Sequence, residues 1–195
     1  MSQKEKTADK ILLAAIDIMQ LKGFSATTTR EIALAAGVSE MTLFRTFRSK
    51  QEILDGIVEK YSYAFTMKRV FNEELTYELE HDLATVSRTY QLFMEKNKKI
   101  VLLAYKECNV HDHISERLTA NPRLIKSYLM DYFEEMKKKN KIGNINIELQ
   151  VMNFLWMNLG YFSAQFISGT KVAQIPLETF IEHSVKTFAI GLKGE

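Results

Sequence analysis

The chain has 195 residues, of which 46% are hydrophobic and 26% are charged, and it contains 8 Gly and 2 Pro. This is the ordinary balance of a globular protein with enough apolar residues for a core. Because Gly and Pro are scarce, strands joined by tight turns are disfavoured, and we predict an all-α fold. The formal charge of +2 is too small to indicate nucleic-acid binding by itself, so any basic surface has to be local.

A single cysteine, Cys108, excludes an intrachain disulfide framework and fits a reducing compartment. The N-terminal residues lead into an amphipathic segment, and the chain has no run of about 18 apolar residues. We therefore expect a soluble, cytoplasmic protein without a membrane partner.

The first two predicted helices are separated by a glycine and a capping signal. The first helix ends at Lys22, where Gly23 is suited to a left-handed C-terminal cap. Thr28 and Glu31 form the pattern of a capping box, in which the threonine caps a helix and the glutamate bonds back to it. This pattern predicts a short second helix over residues 29–36.

The next segment predicts a helix-turn-helix. Gly37 ends the second helix, Ser39 can cap a third helix over residues 40–47, and Ser49 with Glu52 forms a second capping box that opens a fourth helix. In a helix-turn-helix the glycine permits the tight reversal, and the second of the two helices enters the major groove. The side chains predicted to be exposed on that helix are Ser39, Glu40, Met41, Thr42, Arg45 and Thr46.

Positive charge is concentrated in the same region. Residues 22–50 carry five basic and two acidic side chains, so their charge of +3 exceeds the +2 of the whole chain. The remainder is therefore close to neutral. This distribution is expected of a DNA-reading head on a neutral body.

Longer helices are predicted in the rest of the chain from apolar residues at helical spacing. Asn121-Pro122 predicts a helix start, with Asn as cap and Pro at the first helical position. The predicted helices cover residues 72–96, 98–109, 122–139, 147–168 and 176–192.

The run TTTREIALAAGVSEMTLFRTFRSKQEIL resembles the signature of the TetR (tetracycline-repressor) family of bacterial regulators, and the match covers residues 8–56. It rests on the Thr-Arg start of the second helix, the Ala-Gly-Val-Ser turn, the Thr-Leu-aromatic centre of the third helix and the Phe-x-Ser-Lys before the fourth. Two residues depart from the pattern. Phe44 stands where a tyrosine usually contacts a phosphate, and Glu40 would repel phosphates but could accept from a cytosine amino group.

The resemblance implies three contacts made outside the third helix. Thr29 and the N-terminus of the second helix would hold a phosphate, and Arg30 would reach a base edge, with guanine as the expected partner. Lys50 would bind a phosphate. The alternatives are that Arg30 is a surface ion-pair partner and that Lys50 is simply solvated.

The third helix would supply the remaining contacts. Thr42 and Arg45 would contact phosphate or base, Phe44 would pack on the sugar-phosphate backbone, and Met41 could touch a thymine methyl group. The DNA-binding residues implied in total are Thr28, Thr29, Arg30, Ser39, Glu40, Met41, Thr42, Phe44, Arg45 and Lys50.

The resemblance also implies a division into a DNA-binding domain, residues 1–52, and a helical ligand-binding and dimerisation domain, residues 53–195. The helix predicted over 147–168 is apolar nearly all round, which fits burial between its own core and a partner chain. The alternative is a central helix of a monomer core. A homodimer would place two recognition helices about 34 Å apart and would read a near-palindromic operator.

The small-molecule pocket implied by the resemblance is expected among aromatic and methionine side chains, which suit an adaptable apolar cavity for a hydrophobic or amphipathic ligand. A buried Glu107 would instead favour a cationic ligand. Plain core packing is the alternative role for each pocket candidate. The candidates are Phe65, Phe71, Tyr90, Phe93, Met94, Tyr105, Tyr128, Tyr132, Met152 and Trp156.

Other chemistry is weakly indicated. Cys108, His111 and His113 invite a metal interpretation, but their spacing is irregular and no fourth ligand is evident. The lysine cluster over residues 137–141 could bind nucleic acid or anionic lipid, although a solvated helix end is the favoured explanation. Motifs of a phosphate loop, a nucleophile elbow or a zinc protease are absent. We expect no metal, no cofactor and no catalytic residues.

The sequence therefore predicts a ligand-responsive transcription regulator, most simply a repressor whose operator affinity falls when a ligand moves the fourth helix. The competing hypothesis is a helical carrier of apolar ligands, or a small enzyme, that retains a vestigial helix-turn-helix.

Overall fold

The architecture is known from a computed structural model. It describes residues 3–61, 64–107, 112–166 and 173–193, with the backbone alone for residues 64–65, 104–107 and 112–120. Every regular element in these residues is helical, which confirms the prediction of an all-α fold. No helix in the described part of the chain is both long and apolar enough to cross a membrane.

The helices have the following bounds. They are α1 Gln3–Lys22, α2 Thr29–Ala35, α3 Glu40–Thr46, α4 Lys50–Lys60, α5 Ala64–Arg69, α6 Leu79–Lys96, α7 Lys98–Glu107, α8 Asp112–Lys138, α9 Ile147–Phe166, α10 Leu177–Phe180 and α11 Lys186–Leu192. Two π-helical turns, Val70–Glu74 and Ile181–Val185, continue α5 and α10 without a break.

The chain divides into two compact units, one of Met1–Ser62 with Asn97–Ala120 and the other of Tyr63–Lys96 with Asn121–Glu195. This division by packing places all of α4 and α7 with the helix-turn-helix. The functional boundary after residue 52 is not tested by it and stays a prediction.

The first unit is built on α1, which packs against α2, α3, α4 and α7. Helix α1 buries residues at helical spacing, and each of the short helices adds one to three apolar side chains to the same core. From α7, Leu103 is buried in this core, and the Lys99 ammonium lies 2.5 Å from the Asp17 carboxylate of α1. The buried residues are Ile11, Leu12, Ala15, Ile16, Met19, Phe24, Ile32, Ala33, Leu43, Ile53, Leu54, Ile57 and Leu103.

The second unit is organised around α6, which packs against α9, α11 and the π-helical turn Ile181–Val185. Its apolar stripe follows helical spacing, as the buried positions Leu79, Leu83 and Val86 show. Three aromatic side chains of α8 and α9 are fully buried, namely Phe133, Phe154 and Phe162.

The predicted helix over residues 72–96 is wrong in its first part. The π-helical turn ends at Glu74 and α6 begins at Leu79, with Tyr77 between them in the left-handed region at a φ of 61°. The break is stabilised by Asp82, whose carboxylate accepts from the Thr76 backbone N–H at 2.9 Å. Because the apolar pattern continues through this break, periodicity alone could not reveal it.

The predicted helix start at Asn121-Pro122 is also wrong, since α8 runs from Asp112 to Lys138 with Pro122 inside it. A proline removes the hydrogen bond that its own N–H would make, but it does not forbid helix on both sides. Pro122 therefore lies within α8 and lacks only the backbone hydrogen bond that an N–H at this position would make.

Candidate DNA-binding site

The N-terminus of α2 is held by the predicted capping box. The Thr28 hydroxyl accepts from the Glu31 backbone N–H at 3.3 Å, and the Thr28 backbone N–H donates to the Glu31 carboxylate at 3.0 Å. The Lys22 ammonium forms an ion pair with the same carboxylate. The Lys22 hydrogen bond, and then those from Thr28, lower the pKa of Glu31 from 4.5 to about 2. Glu31 is therefore charged at neutral pH and fixes the start of α2.

The turn between α2 and α3 has the geometry that its sequence predicts. Gly37 has a φ of +66°, a conformation that side-chain-bearing residues rarely adopt. The Val38 backbone N–H donates to the Ala33 carbonyl at 3.0 Å, and the Ser39 hydroxyl caps α3 by accepting from the Thr42 N–H at 3.1 Å. Leu43 is fully buried below the turn. The helix-turn-helix prediction is thus confirmed in its caps, turn and core residue.

The predicted recognition surface is exposed at Ser39, Glu40, Met41 and Arg45, whereas Thr42 and Thr46, which were also predicted to be exposed, are half-buried. The Arg30 side chain is 87% exposed, and Met41 and Phe44 are 81% and 45% exposed. The Arg30 Nε atom lies 3.8 Å from the carboxylate of Glu40. Arg30 is thus the surface ion-pair partner of Glu40 in the absence of DNA, an exposed pairing worth at most about 1 kcal/mol that a guanine could displace.

An open groove lies between α1 and α3, and each helix contributes three of its lining residues. Its lining residues are Gln3, Lys4, Thr7, Thr42, Arg45 and Thr46. Sequence reasoning missed the contribution of α1, because nothing local indicates that its first two turns lie beside α3.

In the DNA-free structure the Lys50 ammonium lies against the loop between α1 and α2. Its ammonium donates to the carbonyls of Phe24, Ser25 and Thr27 at 2.7, 3.2 and 2.8 Å and lies 4.4 Å from the centre of the Phe24 ring. It is half-buried rather than solvated. In the absence of DNA, this side chain closes the loop between α1 and α2.

The pocket candidates are only partly brought together. Phe71 stacks on Tyr128 with ring centres 5.3 Å apart and meets the edge of Tyr132 at 6.4 Å. Tyr90 and Met94 are buried on α6, Phe93 and Met152 are half-buried, and Trp156 is 55% exposed on α9. The side chains of Phe65 and Tyr105 lie outside the described residues.

Two buried polar groups of the second unit were not predicted. Asp82 is fully buried, and its carboxylate accepts from the Tyr132 hydroxyl at 2.8 Å. Burial, and then this hydrogen bond, raise the pKa of Tyr132, so its phenol stays a neutral donor. The second group joins α6 to α9, where Ser87 donates to the Asn158 side-chain oxygen at 2.5 Å and Gln91 donates to the Asn158 carbonyl at 2.8 Å.

The three candidate metal ligands are Cys108, His111 and His113. Cys108 and His111, with the side chains of His113 and Glu107, lie outside the described part of the chain. Elsewhere in that part, no three His, Cys, Asp or Glu side chains are grouped so that they could hold a metal ion.

Comparison with known proteins agrees with this geometry. A family model described as bacterial regulatory proteins, tetR family, matches residues 11–57. The chain is 30% identical over 189 residues to the HTH-type transcriptional regulator YvkB of Bacillus subtilis (strain 168), covering 97% of this chain and 98% of that protein.

Solved structures show the same fold over nearly the whole chain. NalD, the secondary repressor of the MexAB-OprM multidrug efflux pump in Pseudomonas aeruginosa, matches with a TM-score of 0.79 at 19% identity, covering 98% of this chain and 97% of NalD. GusR of Salmonella enterica matches with a TM-score of 0.69 at 22% identity, covering 98% and 97% of the two chains.

The similarity to YvkB extends over both units, so it is not confined to the helix-turn-helix. The alternative of a carrier or enzyme with a vestigial reader is therefore not favoured. The chain belongs to the TetR family of bacterial regulatory proteins and is a DNA-binding, helix-turn-helix transcriptional regulator.

Proposed function

We propose that this regulator is a homodimeric, cytoplasmic repressor that leaves a near-palindromic operator when a small apolar or amphipathic molecule binds its C-terminal domain. The observation that carries the proposal is the capped helix-turn-helix with an exposed face of polar, cationic and apolar side chains. Such a face can read base edges while its backbone stays fixed.

On DNA, the α2 N-terminus with Thr28 and Thr29 holds a phosphate, and Arg30 leaves Glu40 to bond a base edge. Helix α3 lies in the major groove, and the exposed Met41 faces the bases. The α3 residues proposed to face DNA are Ser39, Glu40, Met41, Thr42, Phe44 and Arg45.

The dimer proposal is supported by the two faces of α9. Buried residues recur at helical spacing on one face, from Ile147 through Phe154 to Phe162. Leu149 and Trp156 are 47% and 55% exposed, which favours a partner covering this face over a central position of α9 in a monomer core. An exposed tryptophan and leucine on an otherwise packed helix favour a covering partner, and a second copy places two readers on one face of the duplex.

The ligand proposal is supported by the aromatic cluster of Phe71, Tyr128 and Tyr132 in the second unit. NalD is named as a repressor of a multidrug efflux pump, which favours apolar or amphipathic effectors for a similar domain. Ligand binding would shift the population towards a state in which α4 separates the two readers and operator affinity falls.

The test is fluorescence anisotropy with purified protein and DNA from upstream of its own coding sequence, at low salt and without ligand. We expect binding of two chains to one near-palindromic segment, and its release by an apolar or amphipathic compound that co-purifies with the protein. Absence of binding to any near-palindrome would overturn the proposed repressor function.

The dimer face is tested by charge substitution. Trp156→Glu places a carboxylate in the proposed interface and should yield monomers at micromolar concentration in sedimentation velocity. Leu92→Glu is the matched control, because Leu92 on α6 is also 55% exposed. Equal behaviour of the two variants would count against α9 as the dimer face.

A further inference from the structure

We propose that Lys50 is a positioning residue: its ammonium orders the loop between α1 and α2 and so holds the N-terminus of α2 ready for DNA, without binding a phosphate itself. The inference rests on the proposed function in one respect, namely that the N-terminus of α2 contacts DNA. The ordering of the loop can be tested without DNA.

The geometry of the Lys50 ammonium is that of a bound cation among carbonyl oxygens. The Phe24 and Thr27 carbonyls accept at 2.7 and 2.8 Å in part-buried positions, and the Ser25 carbonyl accepts at 3.2 Å. The Phe24 ring covers the ammonium from a further side at 4.4 Å. A lysine ammonium has three N–H donors, and three carbonyls surround this one.

The position of Lys50 in its own helix favours a role outside that helix. Lys50 is the first residue of α4, directly after the cap Ser49. A cation at a helix N-terminus is disfavoured by the helix dipole. The three carbonyl dipoles, directed at the ammonium from a loop 23–26 residues away in the chain, offset this cost.

The loop that Lys50 closes leads directly into the DNA-facing residues. Gly23 ends α1 with a φ of 85°, and the Thr27 hydroxyl donates to the Gly23 carbonyl at 2.7 Å. Thr27 is 2% exposed and precedes Thr28, the cap of α2. A loop held at Thr27 therefore fixes where α2 begins and where Arg30 points.

The first experiment measures operator affinity against salt for Lys50→Met. A lysine that contacts a phosphate contributes about 0.9 to the slope of log K against log salt. We expect Lys50→Met to weaken binding at least about tenfold, through the lost charge-assisted bonds, with the slope unchanged.

Lys60→Met is the matched control, because Lys60 also lies on α4, forms an ion pair with Asp9 and lies over an aromatic ring, that of Tyr61. It should bind DNA as the wild type does. If the slope became less steep by about 0.9 in Lys50→Met but not in Lys60→Met, the proposal would be overturned in favour of a phosphate contact.

The second experiment measures hydrogen exchange in the DNA-free protein over residues 24–32. We expect faster exchange in Lys50→Met at the amides of Thr27 and Glu31, and wild-type exchange in Lys60→Met. Thr27→Val loosens the same loop without changing its charge, since it removes the hydroxyl bond to Gly23. It should reproduce the affinity loss with an unchanged salt slope.

Wild-type exchange over this segment in Lys50→Met would overturn the loop role, whatever happens to DNA binding. Failure of the wild-type protein to bind DNA would instead count against the proposed function. The exchange measurement would still decide whether Lys50 orders the loop.

Discussion

The cap at the start of α2 and the buried polar pairs of the C-terminal unit are made by hydrogen bonds of very different sequence separation. At the start of α2, the bonds that fix the conformation join Thr28 and Glu31, three positions apart. In the C-terminal unit the buried bond of Asp82 to Tyr132 spans 50 positions, and that of Ser87 to Asn158 spans 71. The helix-turn-helix can therefore be recognised in a short stretch of sequence. The C-terminal unit depends on residue pairs that come together only when the helices pack.

The largest effect should come from breaking one of the distant pairs. Asp82→Ala leaves the Tyr132 hydroxyl and the Thr76 N–H and hydroxyl without their buried acceptor. We expect the free energy of unfolding to fall by about 3 kcal/mol, measured by denaturant unfolding at fixed protein concentration.

Tyr132→Phe is the matched control for that pair, since it removes one of the three bonds and keeps the ring. It should cost about 1–2 kcal/mol. If Asp82→Ala lowered the free energy of unfolding by less than Thr28→Ala does, the distant bonds would not be the stronger ones, contrary to our expectation.

The next effect concerns DNA rather than folding. Arg30→Ala should cost about 1–3 kcal/mol of operator binding and relax specificity at one base pair. Because the side chain is 87% exposed, its removal should change the free energy of unfolding by less than about 0.5 kcal/mol. Anisotropy with single-base operator variants checks this, with the exposed Lys96→Ala as control. An equal loss on every operator variant would contradict a base contact.

A smaller effect is expected at the cap of α2. Thr28→Ala removes the hydroxyl that accepts from the Glu31 N–H, and it should lower the free energy of unfolding by about 1 kcal/mol. Thr28→Ser keeps the hydroxyl and should remain close to wild type. Equal unfolding midpoints for the alanine and serine variants would show that the cap adds nothing.

The smallest effect should be the pH dependence contributed by Glu31. Its pKa is lowered from 4.5 to about 2 in the folded protein, so its stabilising contribution is present above pH 4.5 and is lost as the pH falls through about 2. The difference in unfolding free energy between wild type and Glu31→Gln should shrink over that range. A difference that grew on acidification would contradict this sign.

Much of the reader follows from local sequence. Gly37 adopts the positive φ that a tight turn requires, and the caps Thr28 and Ser39 make the hydrogen bonds that their spacing predicts. Such signals involve residues within one helical turn, so neighbouring residues suffice to specify them. The division between interior and exposed residues in α3 follows from the same periodicity, with Leu43 inside and Met41 outside.

The distant placements required the tertiary structure. The Lys50 ammonium reaches a loop more than twenty positions earlier, Pro122 lies inside α8, and Trp156 lies on an exposed face rather than in a core. None of these follows from spacing, because each depends on which helices pack together.

The sequence by itself thus determined an all-α chain with a capped helix-turn-helix, because propensities, caps and turn residues act over three or four positions. Only the tertiary structure decided that Asp82 is buried against Tyr132 and that Lys50 closes the α1–α2 loop. The physical reason is that burial and long-range hydrogen bonds are properties of packed helices, and a periodic apolar stripe does not specify its neighbours.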